Sequence, residues 1–319
     1  MGTLYIDRKE LHIKLDGNAL AFYVGGKREG LIPINPLKRV IMVGNISLET
    51  PVLHRLSDNG ISVIFLSGKR LRFRGILHGS LHNNGILRVK QYEKSISDFS
   101  KIISVEIVKR KIEGQKEFLL NMREKRPDLR FPMTRSSKIL IDILGKINHQ
   151  ILDMETLRGL EGGASATYFQ TYTKLFPESL GFKKRSRRPP EDPVNAMLSL
   201  CYTLLHYEAV REIEVIGLDP TIGFYHQFEY GRESLACDLV ELYRTEVDRL
   251  VWNLFRERIF TERDFTYESS PGIEKSGCYL KKESRKRFYP LYEEWAKDIR
   301  TKLVNEVRTL VEKILNHEF

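Results

Sequence analysis

Hydrophobic residues change their spacing about a third of the way along the chain. Between residues 3 and 24 apolar and polar side chains largely alternate, and Asp16-Gly17 supplies the dipeptide of a tight hairpin turn. A short helix is predicted over residues 47–59. Further strands are predicted over residues 30–34, 39–43, 61–65 and 71–77. The first third of the chain is therefore expected to be a mostly β domain.

From about residue 91 apolar residues recur three or four positions apart, which is the spacing of amphipathic helices. Residues 260–272 interrupt this pattern and are expected to form an exposed turn. Long helices are predicted over residues 101–122, 136–152, 154–176, 194–213, 235–256 and 291–315. The expected fold class is α+β, with a β-rich domain over residues 1–92 and an all-α domain over residues 93–319.

The segment from residue 217 to 256 combines turn residues with the clearest of these helices. Gly217, Asp219-Pro220 and Gly223 favour turns, and they lead to His226 in an irregular segment. Ser234 is predicted to be the N-cap of the following helix, because its hydroxyl can accept a bond from an unpaired N–H of the first turn. A helix of about 22 residues would be about 33 Å long.

Two carboxylates on this helix are candidate metal ligands. Asp238 and Glu241 are three residues apart, so their Cβ atoms are expected to lie about 5–6 Å apart on one surface. Asp238 borders the apolar stripe and therefore needs a cation or several donors. Two carboxylates near a loop histidine suggest a divalent metal. On spacing alone, two solvated acids, or Glu241 paired with Arg244, and a structural His226 are the more ordinary explanation.

Glu161 is a third acidic candidate, in the helix predicted over residues 154–176. It directly precedes two glycines, each of which costs a helix about 1 kcal/mol relative to alanine. Such a cost suggests that a backbone or a ligand approaches closely. Helix–helix packing on the small residues is the more common reason. Those residues are Gly162, Gly163, Ala164 and Ala166.

Length and composition indicate an ordinary soluble protein. The 319 residues suffice for about two domains, with 29% charged and 41% hydrophobic residues. No apolar run approaches the roughly 18 residues of a membrane span, and no signal-peptide pattern begins the chain. The three cysteines are widely spaced and form neither a disulfide framework nor a zinc signature. A cytoplasmic location with no membrane association is expected.

Positive charge is concentrated in the first third of the chain. Residues 1–90 contain 14 Lys and Arg against 6 Asp and Glu, a net charge of +8. Residues 91–319 contain 38 against 36, a net charge of +2, and the total is +10. This asymmetry favours a polyanionic partner such as DNA. Solubility alone would also account for it.

Several basic residues are candidate DNA contacts. Arg70, Arg72 and Arg74 would share one face of a strand, which suits phosphates, although a charged edge strand is an equally good explanation. Residues 183–193 form a basic, proline-rich loop, with Asp192 as the predicted N-cap and Pro193 as the first residue of the next helix. A solvated linker is the default interpretation of this loop. The other candidates are Lys183, Lys184, Arg185, Arg187, Arg188, Arg232, Lys281, Lys282 and Arg285.

Five segments, in this order, carry a resemblance to a known family. They are LRGLEGGASATYF (157–169), DPVNAMLSLCYTLL (192–205), GLDPTIGFYH (217–226), GRESLACDLVE (231–241) and ERDF (262–265). Together they strongly resemble the CRISPR-associated endonuclease that acts as the integrase of spacer acquisition. The motifs cover the helical part, whereas the β-rich part is similar in type and size.

The resemblance implies an N-terminal β domain, an all-α catalytic domain and a homodimer. It also implies a small ferredoxin-like partner that bridges two dimers on double-stranded or branched DNA. Carried over residue by residue, it places Mn²⁺ or Mg²⁺ on Glu161, His226 and either Asp238 or Glu241. The implied reaction inserts DNA fragments into a CRISPR array by attack of a 3′-hydroxyl on a phosphodiester.

The donor set agrees with this chemistry. Carboxylates with an imidazole, and without thiolates, suit Mn²⁺ or Mg²⁺ better than structural zinc. Glu241 is preferred as a ligand because it points toward the margin of the apolar stripe and has the longer side chain. Asp238 is then expected to orient the histidine. The alternative is an architectural DNA-binding subunit in which the acidic cluster is structural.

Overall fold

The β-rich part comes first in the computed structural model, which describes residues 2–68, 70–79, 84–149, 153–226, 228–270 and 273–316. Its strands are β1 (Thr3–Ile6), β2 (Leu11–Asp16), β3 (Ala19–Val24), β4 (Lys27–Pro33), β5 (Arg39–Val43), β6 (Ser47–Leu48), β7 (Ser62–Leu66) and β8 (Phe73–Leu77). The helix α1 (Thr50–Asp58) lies between β6 and β7. The strand prediction for residues 39–43 is confirmed residue for residue.

Two four-stranded sheets are built from these strands. One has the order β1-β5-β7-β8, with β1, β5 and β7 parallel and β8 antiparallel to β7. The other has the order β4-β3-β2-β6, and its β2–β3 hairpin turns at Gly17, which has a positive φ of 58°. Every residue of β5 is buried. A strand of a parallel sheet covered on both faces has this continuous apolar character.

The two faces of β5 belong to two different cores. Val40 and Met42 pack with the strands and α1, whereas Ile41 and Val43 pack with the helices that follow. Arg39 is on the same side as Ile41, buried against two acids of a later helix. The sheet that contains β5 thus joins the β-rich and helical parts of the chain.

The second part of the chain is helical. Its helices are α2 (Gly85–Ser95), α3 (Asp98–Lys125), α4 (Arg130–His149), α5 (Met154–Tyr172), α6 (Pro193–Ile216), α7 (Ser234–Arg256) and α8 (Lys282–Asn316). The mixed α+β class is confirmed. Asp192 is the N-cap of α6 and accepts a bond from the Asn195 N–H at 2.8 Å, as predicted. The predicted division at residue 92 falls within α2 and stays a prediction.

The exposed turn expected over residues 260–272 is wrong for residues 265–270, and its last two residues, 271 and 272, lie outside the described residues. Phe265–Ser270 and Ile273–Leu280 form two antiparallel strands, β9 and β10, within the otherwise helical part. Phe265, Cys278 and Leu280 are buried, and the Cys278 N–H donates to the Pro190 carbonyl at 2.8 Å. Packing on the chain before α6 stabilises this hairpin, and the local sequence gives no sign of that contact.

The strand expected over residues 71–77 begins two residues later, at Phe73. Leu71 has a positive φ of 49°, and its N–H donates to the Ser67 carbonyl in a tight turn. The expectation that Arg70, Arg72 and Arg74 share one strand face is therefore wrong, since only Arg74 lies in β8.

In the part of the chain that the structure describes, no helix is long and apolar enough to cross a bilayer.

Candidate active site

The loop from Gly217 to His226 folds back over the beginning of α7. Gly223 lies so close to this helix that an added Cβ would be 2.8 Å from the Ser234 carbonyl carbon. Ser234 is the first residue of α7, and the N-cap is Glu233, whose side chain makes no capping bond. The prediction of Ser234 as N-cap is therefore wrong by one residue, whereas the 23-residue helix agrees with the predicted length.

The Asp238 carboxylate accepts hydrogen bonds from the last residues of this loop. Oδ2 accepts the backbone N–H groups of Phe224 at 2.7 Å and Tyr225 at 3.1 Å. Oδ1 accepts the backbone N–H of His226 at 2.9 Å and lies 2.7 Å from its ring Nδ1. The carboxylate is fully buried, and these four bonds supply the donors that burial demands. Asp238 therefore fixes the position of His226.

Three other helices also anchor the loop. From α2, buried Gln91 donates to the carbonyls of Asp219 and Ile222 and accepts the Asp219 N–H. From α3, the Ser100 hydroxyl donates to the Phe224 carbonyl at 3.2 Å. The Arg158 guanidinium of α5 donates to the Tyr225 carbonyl at 3.4 Å. The irregular backbone before His226 is thus held on several sides.

Two carboxylates converge on one lysine beside this loop. Lys111 of α3 forms an ion pair with Oε1 of Glu161 on α5, and its Nζ lies 2.5 Å from Oε2 of Glu241 on α7. Nε2 of His226 lies 4.0 Å from Oε1 of Glu241. The structure therefore brings Glu161, Glu241 and His226 to one place, from three separate elements.

Glu241 has a second cationic neighbour. Nε of Arg244 lies 2.8 Å from its Oε1, which is the pairing that the sequence left open. Burial by itself raises the pKa of the Glu241 carboxyl, but Arg244 and Lys111 outweigh burial and hold that pKa well below its ordinary value. Glu241 is therefore ionised at neutral pH despite a side-chain exposure of 5%.

The donor set fits a hard divalent ion. Two carboxylates and an imidazole, without thiolates, suit Mn²⁺ or Mg²⁺. Oε2 of Glu241 has no hydrogen bond of acceptable geometry in the described chain, although the Lys111 ammonium is close to it. In the described ranges no three His, Cys, Asp or Glu side chains already form a closed metal cluster. The metal assignment stays a prediction.

The glycines after Glu161 leave an open surface. A Cβ added at Gly162 or Gly163 would meet no atom within 4 Å, and both residues are exposed. The helix-packing explanation is thus wrong for these two positions. The surface beside Glu161 is free of side chains there, which leaves room for a ligand.

A cavity of about 630 Å³ is lined by Glu161 and Lys111. Arg185 lies on its wall, and burial lowers the pKa of this guanidinium to about 10. Two guanidiniums lie over one aromatic ring: those of Arg185 and Arg244 are 5.5 and 4.8 Å from the Tyr202 ring centroid. The other positively charged lining residues are Lys111, Lys183, Lys184 and Arg187. This concentration of cations suits a phosphate-bearing ligand.

Comparison with known proteins identifies the family. The family model described as CRISPR associated protein Cas1 matches residues 4–294. The chain belongs to the Cas1 family. It is 54% identical over 318 residues to the CRISPR-associated endonuclease Cas1 1 of Thermodesulfovibrio yellowstonii, covering 100% of this chain and 98% of the relative. A Thermus thermophilus relative, CRISPR-associated endonuclease Cas1 3, is 31% identical, covering 92% and 84%.

Solved structures of the Cas1 family share this fold. A Cas1 protein from Thermotoga maritima superposes with a TM-score of 0.82 at 26% identity, covering 100% of this chain and 98% of that chain. A chain of a Cas6-RT-Cas1–Cas2 complex superposes with a TM-score of 0.82 at 25% identity. That match covers 98% of this chain and 35% of the larger one.

The basic candidates of this Cas1 family chain are distributed over two cavities. Lys183, Lys184, Arg185 and Arg187 line the cavity at Glu161. Arg187 also lines a second cavity of about 510 Å³, together with Arg188, Arg70 and Arg72. Arg187 therefore connects the cavity at Glu161 with basic residues of the β-rich part. Arg70 additionally lies 5.8 Å from the Tyr279 ring.

The remaining basic candidates lie elsewhere. Arg285 is buried, and its guanidinium contacts Asp7 and the Gly68 carbonyl, so it joins α8 to the β-rich part. The prediction that Arg285 contacts DNA is wrong, because its buried guanidinium already binds those two protein groups. Arg232 pairs with Glu229 at 3.0 Å, and the Lys281 ammonium donates to the Arg263 carbonyl. Lys282 is the first residue of α8.

Sequence reasoning missed Lys111, although a signal was present. Ile103, Ile107, Lys111 and Gln115 follow one another at four-residue spacing on the buried face of α3. A lysine in an apolar stripe needs a buried acid, and no local pattern indicates which one. Gln91, which anchors the loop, interrupts the buried face of α2 in a similar way.

Proposed function

We propose that this chain is a metal-dependent DNA endonuclease and strand-transfer enzyme that inserts DNA fragments into a CRISPR array. The observation that carries the proposal is the convergence of Glu161, Glu241 and His226 beside a cavity lined by cations. Carboxylates beside arginines would bind a metal and a phosphodiester together. The names of the relatives support nuclease activity.

Glu161, Glu241 and His226 would hold Mn²⁺ or Mg²⁺. Such an ion polarises a phosphodiester and lowers the pKa of an attacking hydroxyl. Asp238 has a separate task. With its Nδ1–H donated to Asp238, the His226 imidazole would leave the lone pair of Nε2, 4.0 Å from Oε1 of Glu241, available to the ion.

The cationic wall would hold the phosphate groups. Arg185 and Arg244 are stacked near Tyr202 and anchored by hydrogen bonds and ion pairs, so they offer charge at fixed positions. In strand transfer, the 3′-hydroxyl of the incoming fragment gives up its proton, and its oxygen bonds to the target phosphorus. The target P–O3′ bond breaks, and the departing 3′-oxygen takes up a proton. Water in place of the 3′-hydroxyl gives cleavage.

A homodimer and a small partner protein complete the proposed assembly. The Cas6-RT-Cas1–Cas2 complex among the similar structures supports a partner of this kind, and the ferredoxin-like fold of that partner belongs to the proposal. Light scattering at micromolar concentration should give the mass of a dimer. A monomer in moderate salt would contradict the dimer.

The test is strand transfer of a labelled fragment into a supercoiled repeat plasmid, with and without the partner. Wild type with Mn²⁺ should join the strands, and Glu161→Gln should not. Glu155→Gln, an exposed acid in the first turn of the same helix, is the matched control and should retain activity. Equal product from wild type and Glu161→Gln would overturn the proposal.

An architectural DNA-binding role is the second candidate. It is favoured by the pairing of Glu241 with both Lys111 and Arg244, which neutralises the acid without a metal. In that case Mn²⁺ would leave plasmid DNA uncut, and DNA affinity would be unchanged in Glu161→Gln.

A further inference from the structure

Lys111 is an unusual residue for the centre of a helical domain. Its side chain is only 8% exposed, and it stands in the apolar face of α3 between Ile107 and Gln115. An ammonium in such a place is stable only with opposite charge around it. Glu161 and Glu241 supply that charge, each through one oxygen.

The ammonium stands at the point where the two carboxylates converge. Oε1 of Glu161 and Oε2 of Glu241 both face Nζ. A divalent ion held by these two carboxylates through the same oxygens would compete with Nζ for that point, with Nε2 of His226 4.0 Å from the other oxygen of Glu241. Two cations cannot share it, because like charges at such distances repel strongly when partly buried. Either the lysine or the ion is bound there.

We propose that Lys111 is a positioning residue that competes with the metal. It holds Glu161 and Glu241 together in the metal-free protein and gives up their oxygens when the ion binds. This rests on the metal-dependent function proposed above. The released side chain can move into the cavity of about 630 Å³, because Lys111 lines this cavity together with Arg185 and Arg187.

The competition has two consequences. Without metal, Lys111 stabilises the fold by compensating two acids that would otherwise repel each other. With metal, the free ammonium adds one positive charge to a wall that already suits phosphate. Metal binding and DNA binding are therefore coupled through this side chain, so each should strengthen the other.

The test compares Mn²⁺ binding by wild type, Lys111→Met and Lys116→Met, using the electron paramagnetic resonance signal of free Mn²⁺. Methionine keeps the length and apolar stem of lysine but removes the charge. Lys111→Met should bind Mn²⁺ about tenfold more tightly than wild type, because the competing cation is gone. Lys116→Met, on the same helix, should bind like wild type.

Thermal unfolding provides the second readout. In a chelator Lys111→Met should melt below wild type, and saturating Mn²⁺ should raise its Tm more than that of wild type. Equal or weaker Mn²⁺ affinity in Lys111→Met would overturn the competition while leaving the metal site intact. If neither wild type nor Lys111→Met binds Mn²⁺, the metal-dependent function is overturned and, with it, the competition.

Discussion

Asp238 and His226 are joined twice through a single oxygen. Oδ1 of Asp238 lies 2.7 Å from ring Nδ1 of His226 and accepts the backbone N–H of the same residue at 2.9 Å. One carboxylate oxygen thereby sets both the backbone position and the ring orientation of the histidine. The other oxygen is engaged by two further N–H groups, so Asp238 has little capacity left for a metal.

This arrangement predicts different effects for the two acids of α7. Asp238→Asn should weaken Mn²⁺ binding about 10–100-fold, because the amide nitrogen cannot accept backbone N–H bonds and the histidine loses its support. Glu241→Gln should abolish binding, because it removes a ligand. Mn²⁺ titration measures both. If Asp238→Asn abolishes binding while Glu241→Gln binds like wild type, the assignment is reversed.

Gly223→Ala should destabilise the protein and weaken metal binding. Its Cβ would lie 2.8 Å from Oδ2 of Asp238 and 2.8 Å from the Ser234 carbonyl carbon, so backbone must shift. We expect a loss of about 1–3 kcal/mol in unfolding free energy, measured in urea. Gly145→Ala in α4 is the control, since its Cβ meets no atom within 4 Å. It should stabilise by about 0.5–1 kcal/mol. A neutral Gly223→Ala would contradict the close contact.

Affinity for duplex DNA should depend steeply on salt. When the logarithm of the binding constant is plotted against the logarithm of the salt concentration, each phosphate contact contributes about −0.9 to the slope. Replacing Arg70, Arg72 and Arg74 by alanine should reduce the slope if they contact phosphates, and fluorescence anisotropy over a salt series measures it. Replacing exposed Lys297 and Lys302 of α8, which pair with Glu294 and Asp298, is the control. A triple variant with the wild-type slope would show that those arginines are surface charge only.

Arg39→Met should loosen the junction between the sheet and the helices. Its side chain is 7% exposed, with Nε 2.8 Å from Oε2 of Glu208 and Nη2 3.3 Å from Oε1 of Glu212. Removing it leaves two buried acids with fewer partners, so we expect a loss of about 2–4 kcal/mol in urea unfolding. Exposed Lys38→Met should change stability by no more than about 0.5 kcal/mol. Equal stability of the two variants would contradict the role of the buried pair.

Stability should fall between about pH 6.5 and pH 9 because of His206. Burial by itself lowers its pKa, but hydrogen bonds with Cys237 and Glu233 outweigh burial and raise the pKa to about 9. A raised pKa means that the folded state binds the proton more tightly. The stabilisation is therefore complete below the unfolded pKa of about 6.5 and is lost as pH rises through 9.

The measurement is the unfolding free energy in urea at several pH values. Wild type should lose about 1–3 kcal/mol across this range relative to His206→Gln. Glu233→Gln should show a smaller loss than wild type, because it removes one of the two partners. Parallel pH profiles for wild type and His206→Gln would exclude this linkage.

The sequence by itself determined the elements whose signals are short-range. Strand β5 follows from a run of apolar residues, and the start of α6 follows from Asp192 and Pro193. The length of α7 follows from its unbroken helical periodicity. The motifs also singled out Glu161, His226, Asp238 and Glu241 as a candidate set, through their resemblance to a family.

Only the tertiary structure decided what these residues contact. Lys111 meets Glu161 and Glu241 across 50 and 130 positions of chain, and no local pattern encodes such a pairing. Arg285 is similar, since its partner Asp7 lies 278 positions away and converts a predicted DNA contact into a buried link. The hairpin of β9 and β10 depends on packing against the chain before α6. Periodicity and caps act within a few residues, whereas charge compensation and burial are set by whichever segments the fold brings together.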